Sequence, residues 1–392
     1  MRGLIAIAAI VALLTIAGGS FSIIGQLRDD ARGGTPQPTP TSQAGMAPTA
    51  TPASASTGVA ATPTPEQGET VVDLPPTPEV TVGQPEMVYH TSGGARVAQE
   101  YDECHSYDWV QVCWPAGSFP EEWAREVAQA TFVAFEVANT MLNTNDYDPV
   151  TIYLSPQLFA DDCIGCQGFS AADLRQVFLL QDGSLAADEF QALLVHEVTH
   201  VIAASKIYLP LELFHAEGLA TWVMTDDLVQ SGYVSPVQSA AWVYRAGAMP
   251  TLFELMEDDY AGRMRKRVYY DGAAAFATFF IETYGWPAYR RLYTLDPPDM
   301  IIGKDWATLQ DEWHAYLEQF ADNEINGTDG FEWWAVAQRV IDGYAVLYED
   351  PSQITPEQYA ALVSARLALN RAELETAVAY IDASGLAPQT AQ

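Results

Sequence analysis

The sequence predicts an α+β fold, with a small sheet early in a globular region and mostly helix in the remainder. Three observations carry that prediction. "DPVTIYLS" (148–155) and "RQVFLLQDG" (175–183) are short β-branched or apolar runs bounded by turn residues, the pattern of strands. From about residue 211 onward, apolar residues recur at helical spacing. Ahead of both lie segments of a different composition that cannot belong to a core, so the globular region begins near residue 86.

The N-terminus, MRGLIAIAAIVALLTIAGGSFSIIGQLRDD, is uncharged over residues 3–27, enough for a helix to span a hydrocarbon core of about 30 Å. Residues 1–27 read as a transmembrane signal anchor, or as a signal peptide with Ala17 and Gly19 ahead of a cut before Ser20. Both readings make the rest extracytoplasmic, membrane-tethered in the first case and secreted in the second. Residues 28–85 read as a disordered linker or stalk: positions 33–85 hold 11 prolines and 11 threonines, with no aromatic residue, lysine or arginine. Such a composition buries too little apolar surface to offset chain entropy, and it stays extended.

Apolar residues make up 49% of the chain, which allows a substantial core. The balance of 51 acids against 18 bases gives a net charge of -33. That charge repels nucleic-acid phosphates and anionic lipid surfaces, and it favours a soluble monomer. Nucleic-acid partners are therefore excluded, and membrane contact is confined to the N-terminal segment.

Ser118, Pro120 and Glu121 read as a capping box opening a helix over about 119–142. After the two strands, a helix over about 185–205 carries Asp188 and Glu189 in its first turn, where the helix dipole favours acids. The globular domain runs over 86–325. Residues 326–392 form a C-terminal helical extension in which Thr355, Pro356 and Gln358 mark another helix start. The four cysteines are even in number and lie beyond the membrane segment, so disulfides are expected. Proximity favours Cys104–Cys113 and Cys163–Cys166; a redox-active or zinc-binding Cys163/Cys166 pair is the alternative.

The predicted helix over 185–205 contains "LLVHEVTHVI". His196 and His200 are four apart, about 6 Å along a helix axis and about 40° around it, so both imidazoles leave one face. That geometry suits two ligands of one Zn²⁺, with Glu197 beside them as the base for a water on the ion. An apolar helix with two satisfied histidines would instead bury Glu197 without a partner, which is costly. A third ligand is expected, and Glu217 supplies it: Pro210 breaks the chain after His200, and Glu217 then sits early in the next helix, "LFHAEGLATWVM". Gly218 permits close helix approach. His215, two residues before Glu217, points elsewhere and reads as a neighbour.

"HEVTH" followed by "LFHAEGLATW" resembles the gluzincin zinc metallopeptidases, the peptidase MA-like domains related to thermolysin and aminopeptidase N. The spacer of sixteen residues between His200 and Glu217 is slightly shorter than that family's. The resemblance covers about residues 150–295 and implies a thermolysin-like zincin catalytic domain. It also implies an edge strand by the cleft, which "RQVFLLQ" would supply. "YYDGAAAFATFFIETYGWPAYRRL" (269–292) is similar to the family's Tyr-x-x-Gly helix. That places Tyr269 on the tyrosine serving the oxyanion, with Tyr270 as competitor. No Gly-x-Met-Glu-Asn segment is present, so aminopeptidase activity does not carry over. "RMRKR" (Arg263–Arg267) either binds a substrate carboxylate or forms a solvated turn balanced by Glu257, Asp258 and Asp259.

The reading is thus a zinc-dependent peptidase acting on a peptide or protein substrate, with one Zn²⁺ held by His196, His200 and Glu217. Glu197 and Tyr269 would be catalytic. The alternative is a non-catalytic module on the same fold that binds a peptide or cell-wall component.

Overall fold

The computed structural model describes residues 86–92, 95–156, 167–181, 185–208, 212–257, 266–294, 296–349 and 353–386. The segments expected to be membrane anchor and linker (1–85), and Cys163 and Cys166, lie outside the described residues. The fold is mixed α+β and mostly helical. A hairpin of β1 (Glu86–Ser92) and β2 (Ala95–Tyr101) precedes a five-stranded sheet. That sheet comprises β3 (Glu103–Tyr107), β4 (Val110–Trp114), β5 (Val150–Ser155), β6 (Gly168–Ala171) and β7 (Gln176–Leu180), in the order β3-β4-β5-β7-β6. The β4–β5 and β5–β7 pairs are parallel, while β3 and β6 run antiparallel to their neighbours.

Alternation along the strands sorts side chains onto two faces, both covered. Val112, Ile152, Leu154, Val177 and Leu179 point into the main core, where helix α1 (Glu121–Leu142) presents Ala128, Phe135 and Ala138. Cys113, Tyr153, Phe178 and Leu180 point to the opposite face and pack with Tyr101. The hairpin β3–β4 is closed by the Cys104–Cys113 disulfide, between directly paired residues with Cα atoms 4.1 Å apart.

Two expectations change here. Ser118 does not cap α1; its hydroxyl donates to the Pro115 carbonyl at 2.6 Å, and the helix starts after Pro120. The edge strand is β6, sequence GFSA, while "RQVFLLQ" supplies the inner strand β7.

Helix α2 (Ala187–Lys206) follows the sheet, then α3 (Leu213–Gln230), α4 (Pro236–Arg245), α5 (Leu252–Met256), α6 (Lys266–Tyr284) and α7 (Trp286–Tyr293). The chain continues through α8 (Pro298–Ile302), α9 (Trp306–Glu318), α10 (Gly330–Glu349), α11 (Pro356–Asn370) and α12 (Leu374–Ser384). Thr355 forms the expected capping box with Gln358 at the start of α11. The run after it forms two helices, separated at Ala372 with φ 55°. Helices α10–α12 build a second core around Trp333, Leu362 and Leu369 that also takes in Trp242 and Val243 of α4 and Val268 of α6.

A buried knot anchors the end of α2. The Asp146 carboxylate accepts from Arg175 Nη1 and Nη2 at 2.9 and 3.0 Å and from the Ser205 hydroxyl. Its backbone is held by Asn139, whose Nδ2 donates to the Asp146 carbonyl at 2.9 Å. Burial opposes ionisation of Asp146, but the Arg175 and Ser205 hydrogen bonds outweigh it and hold the carboxyl below the usual range.

Candidate metal centre

Helix α2 buries Leu194, Val195, Val198, Val201 and Ile202 in the main core. One turn apart on another face, the rings of His196 and His200 stand edge to face, with centroids 4.8 Å apart. Their Nε2 atoms are 3.1 Å from each other. Glu217, from α3, brings Oε2 to 3.0 Å from His196 Nε2 and 3.5 Å from His200 Nε2. One donor atom from each residue thus lies within 4.8 Å of the other two. Two imidazole nitrogens and a carboxylate oxygen converging on one point form a donor set that fits zinc.

The packing beneath fixes Glu217. A Cβ built on Gly218 would lie 2.7 Å from the Ala273 carbonyl oxygen, so α3 meets α6 backbone to backbone. The close approach that Gly218 permits is therefore to α6. Thr221, one turn after Glu217 and buried, places its hydroxyl 3.5 Å from His196 Nδ1. An outer partner of this kind orients the ring and settles which nitrogen carries the proton.

Charges within the cluster support one another. Burial disfavours the Glu217 carboxylate, but His200 and hydrogen bonds from both histidines outweigh it and hold the group far below the usual carboxylate range. Burial likewise opposes charge on His200, and Glu217 raises it above the ordinary histidine value. Glu197 is outside the ligand set and only 4% exposed. Burial pushes its carboxyl up against the pull of His196 and His200. Two features of β6 meet this carboxylate: the Ser170 side chain hydrogen-bonds it, and a Cβ on Gly168 would stand 3.2 Å from Oε1. Edge strand β6 and helix α2 therefore face each other across Glu197.

His215 stays out of the cluster, as the sequence implies. Its buried ring has Nε2 3.4 Å from Glu212 Oε2, and burial pushes its pKa down to about 4, so at neutral pH the contact is no ion pair. The tyrosines divide differently from expectation. Tyr270 holds its ring 6.0 Å from that of His196, whereas Tyr269 is buried in the main core with its ring edge-on to Phe214. Tyr293 of α7 also feels Glu217, which, after burial, raises its phenol. Arg267, at the end of the basic cluster, is not part of a solvated turn. It lies 3.2 Å from Asp271 through Nε, bonds Asn370, and stacks over Trp333 at 5.1 Å. Residues 258–265 lie outside the described residues.

Thr221, Ser170 and Gly168 are site residues that the sequence reading missed. Thr221 was within reach, because a residue four after a ligand shares its helix face.

No protein-family model matches the chain, and no curated protein matches it. Several solved structures are similar to it, among them these two. One, described as an aminopeptidase N family protein from Idiomarina loihiensis, has 13% identity and a TM-score of 0.32, covering 65% of this chain and 46% of that one. The other, described as a two-domain M1 zinc metallopeptidase bound to L-arginine, has 15% identity and a TM-score of 0.28, covering 61% and 51%. The chain thus spans about half the length of each. Neither likeness carries the site; its side chains do.

Proposed function

We propose that this chain is an extracytoplasmic, membrane-tethered zinc peptidase that hydrolyses peptide bonds. The observation that carries the reading is the convergence of His196 Nε2, His200 Nε2 and Glu217 Oε2 beside a buried Glu197. When bound there, zinc would supply a Lewis acid that lowers the pKa of a water to about 7. Glu197 takes a proton from the attacking water as its oxygen bonds the scissile carbonyl carbon. The same carboxyl then hands that proton to the departing amine nitrogen as the C–N bond breaks. Burial makes Glu197 a stronger base than a free carboxylate, and Ser170 holds it in place. The phenol of Tyr270 or Tyr269 would donate to the carbonyl oxygen as it gains charge. A purely binding module would have no use for a buried Glu197 beside a full ligand set.

The test is metal analysis together with cleavage of a peptide library. About one zinc per chain and chelator-sensitive cleavage are expected. Glu197→Gln should keep the metal and lose several orders of magnitude in turnover. A chain that takes up no zinc, or a Glu197→Gln variant with parental turnover, refutes the reading.

A further inference from the structure

Helix α11 reaches both β6 and α2 through Arg366. Arg366 donates from Nη1 to Gln167 Oε1 at 2.5 Å, and its Nη2 lies 3.5 Å from Glu189 Oε2. Gln167 leads into β6, and its carbonyl accepts from the Leu180 amide of β7 at 2.7 Å. Glu189 is in the first turn of α2, with a side chain only 8% exposed. Arg366 therefore spans from the edge strand to helix α2, the two elements that face each other across Glu197. A parallel tie runs from Arg371, whose Nη2 donates to Asp188 Oδ2 at 3.1 Å. Tyr359 of α11 packs on the outer face of the sheet, where Phe169 and Ala171 of β6 also lie.

β6 has reason to need such support. It is four residues long, lies at the sheet's edge, and has a single large side chain to anchor it, Phe169, which stacks on Phe178 at 4.7 Å. We propose that Arg366 is a positioning residue: it fixes β6 relative to α2 and so sets how an extended peptide aligns against Glu197. The peptide half of this proposal rests on the hydrolase reading above; the brace between strand and helix does not.

The experiment uses the full zinc-loaded chain with Arg366→Met, Gln167→Leu and both together. Hydrogen exchange over residues 168–171 should run about tenfold faster in each single variant. The double variant should run no faster than either, because both changes cut the same link. With an internally quenched peptide that the parent cleaves, KM should rise about fivefold while kcat and zinc content hold. Unchanged exchange over 168–171 in both single variants overturns the proposal, and so does faster exchange with KM unmoved. Should Arg366→Met fail to fold, Gln167→Leu carries the same comparison. A parent that cleaves no peptide sinks the hydrolase reading, and exchange alone then decides whether Arg366 holds the strand.

Discussion

Gly168→Ala adds one methyl group where β6 faces Glu197, the proposed general base. An ideal Cβ there would lie 3.1 Å from Leu179 Cδ2, 3.2 Å from Leu193 Cδ1 and 3.2 Å from Glu197 Oε1. Ordinary contact begins at 3.4 Å, so each neighbour must yield 0.2–0.3 Å. The leucines can rotate away, and that crowding costs about 1–3 kcal/mol. Removing glycine's freedom from the unfolded chain returns about 0.4–1 kcal/mol, so net destabilisation is about 0–2.6 kcal/mol. The carboxylate has less room, since Ser170 holds it from the same strand. A 1 Å misplacement of a catalytic group can cost about 10²-fold, which scales to roughly threefold for a shift of this size. The measurements are kcat on a cleaved peptide, zinc content and melting temperature. A threefold fall in kcat with full zinc is expected. Parental kcat would refute the placement of β6 against Glu197, and a fall that tracks zinc loss would mean that the ligands moved instead.

His200→Ala leaves two protein ligands and should drop zinc from about one per chain to a small fraction after dialysis, read by elemental analysis. Tyr270→Phe should lower kcat by about 10²–10³-fold with zinc and KM little changed, while Tyr269→Phe stays near parental. The reverse outcome would give the phenol's role to Tyr269, and two active variants would leave the oxyanion without either. Asp146→Asn turns an acceptor into a donor facing Arg175 and should cost about 3 kcal/mol at neutral pH by denaturant titration. Because Asp146 is held below its usual range when folded, its stabilisation is complete above about pH 4 and fades as pH falls through the folded value. The gap between parent and variant should therefore narrow below about pH 4; a gap constant with pH would show that the Asp146 charge is not what stabilises the knot.

The helix carrying His196 and His200, and the convergence of Glu217 on them, were legible because a shared ion would dictate their spacing: a four-residue repeat for His196 and His200, and a turn before Glu217. The capped start of α11 was legible for the same reason, since Thr355 and Gln358 need a fixed separation to satisfy each other's backbone. β6 was not. Its GFSA run lacks β-branched residues, and it is a strand only because β7 offers a partner. The choice between Tyr269 and Tyr270 was equally hidden, because adjacent residues on a helix differ by about 100° and only the packing of α6 decides which faces His196. Arg267 looked solvated because it ends a run of bases, yet Asp271, Asn370 and Trp333 draw it inward.

Trp242 bears on how this protein can be cut and spliced. Its indole on α4 is fully buried, packs against the tilted ring of Trp333 of α10 at 5.4 Å, and donates from Nε1 to the Asn323 carbonyl at 2.9 Å. Gly330 sits so close to it that no side chain would fit there. A stop codon after residue 325 would strip that cover and bare a surface whose burial is worth about 5 kcal/mol for the tryptophan alone. The last helices are therefore poor candidates for a detachable cassette. Gene rearrangements that move this unit should therefore carry α10–α12 along with the sheet and α2, because a junction inside that cover cuts through packed side chains.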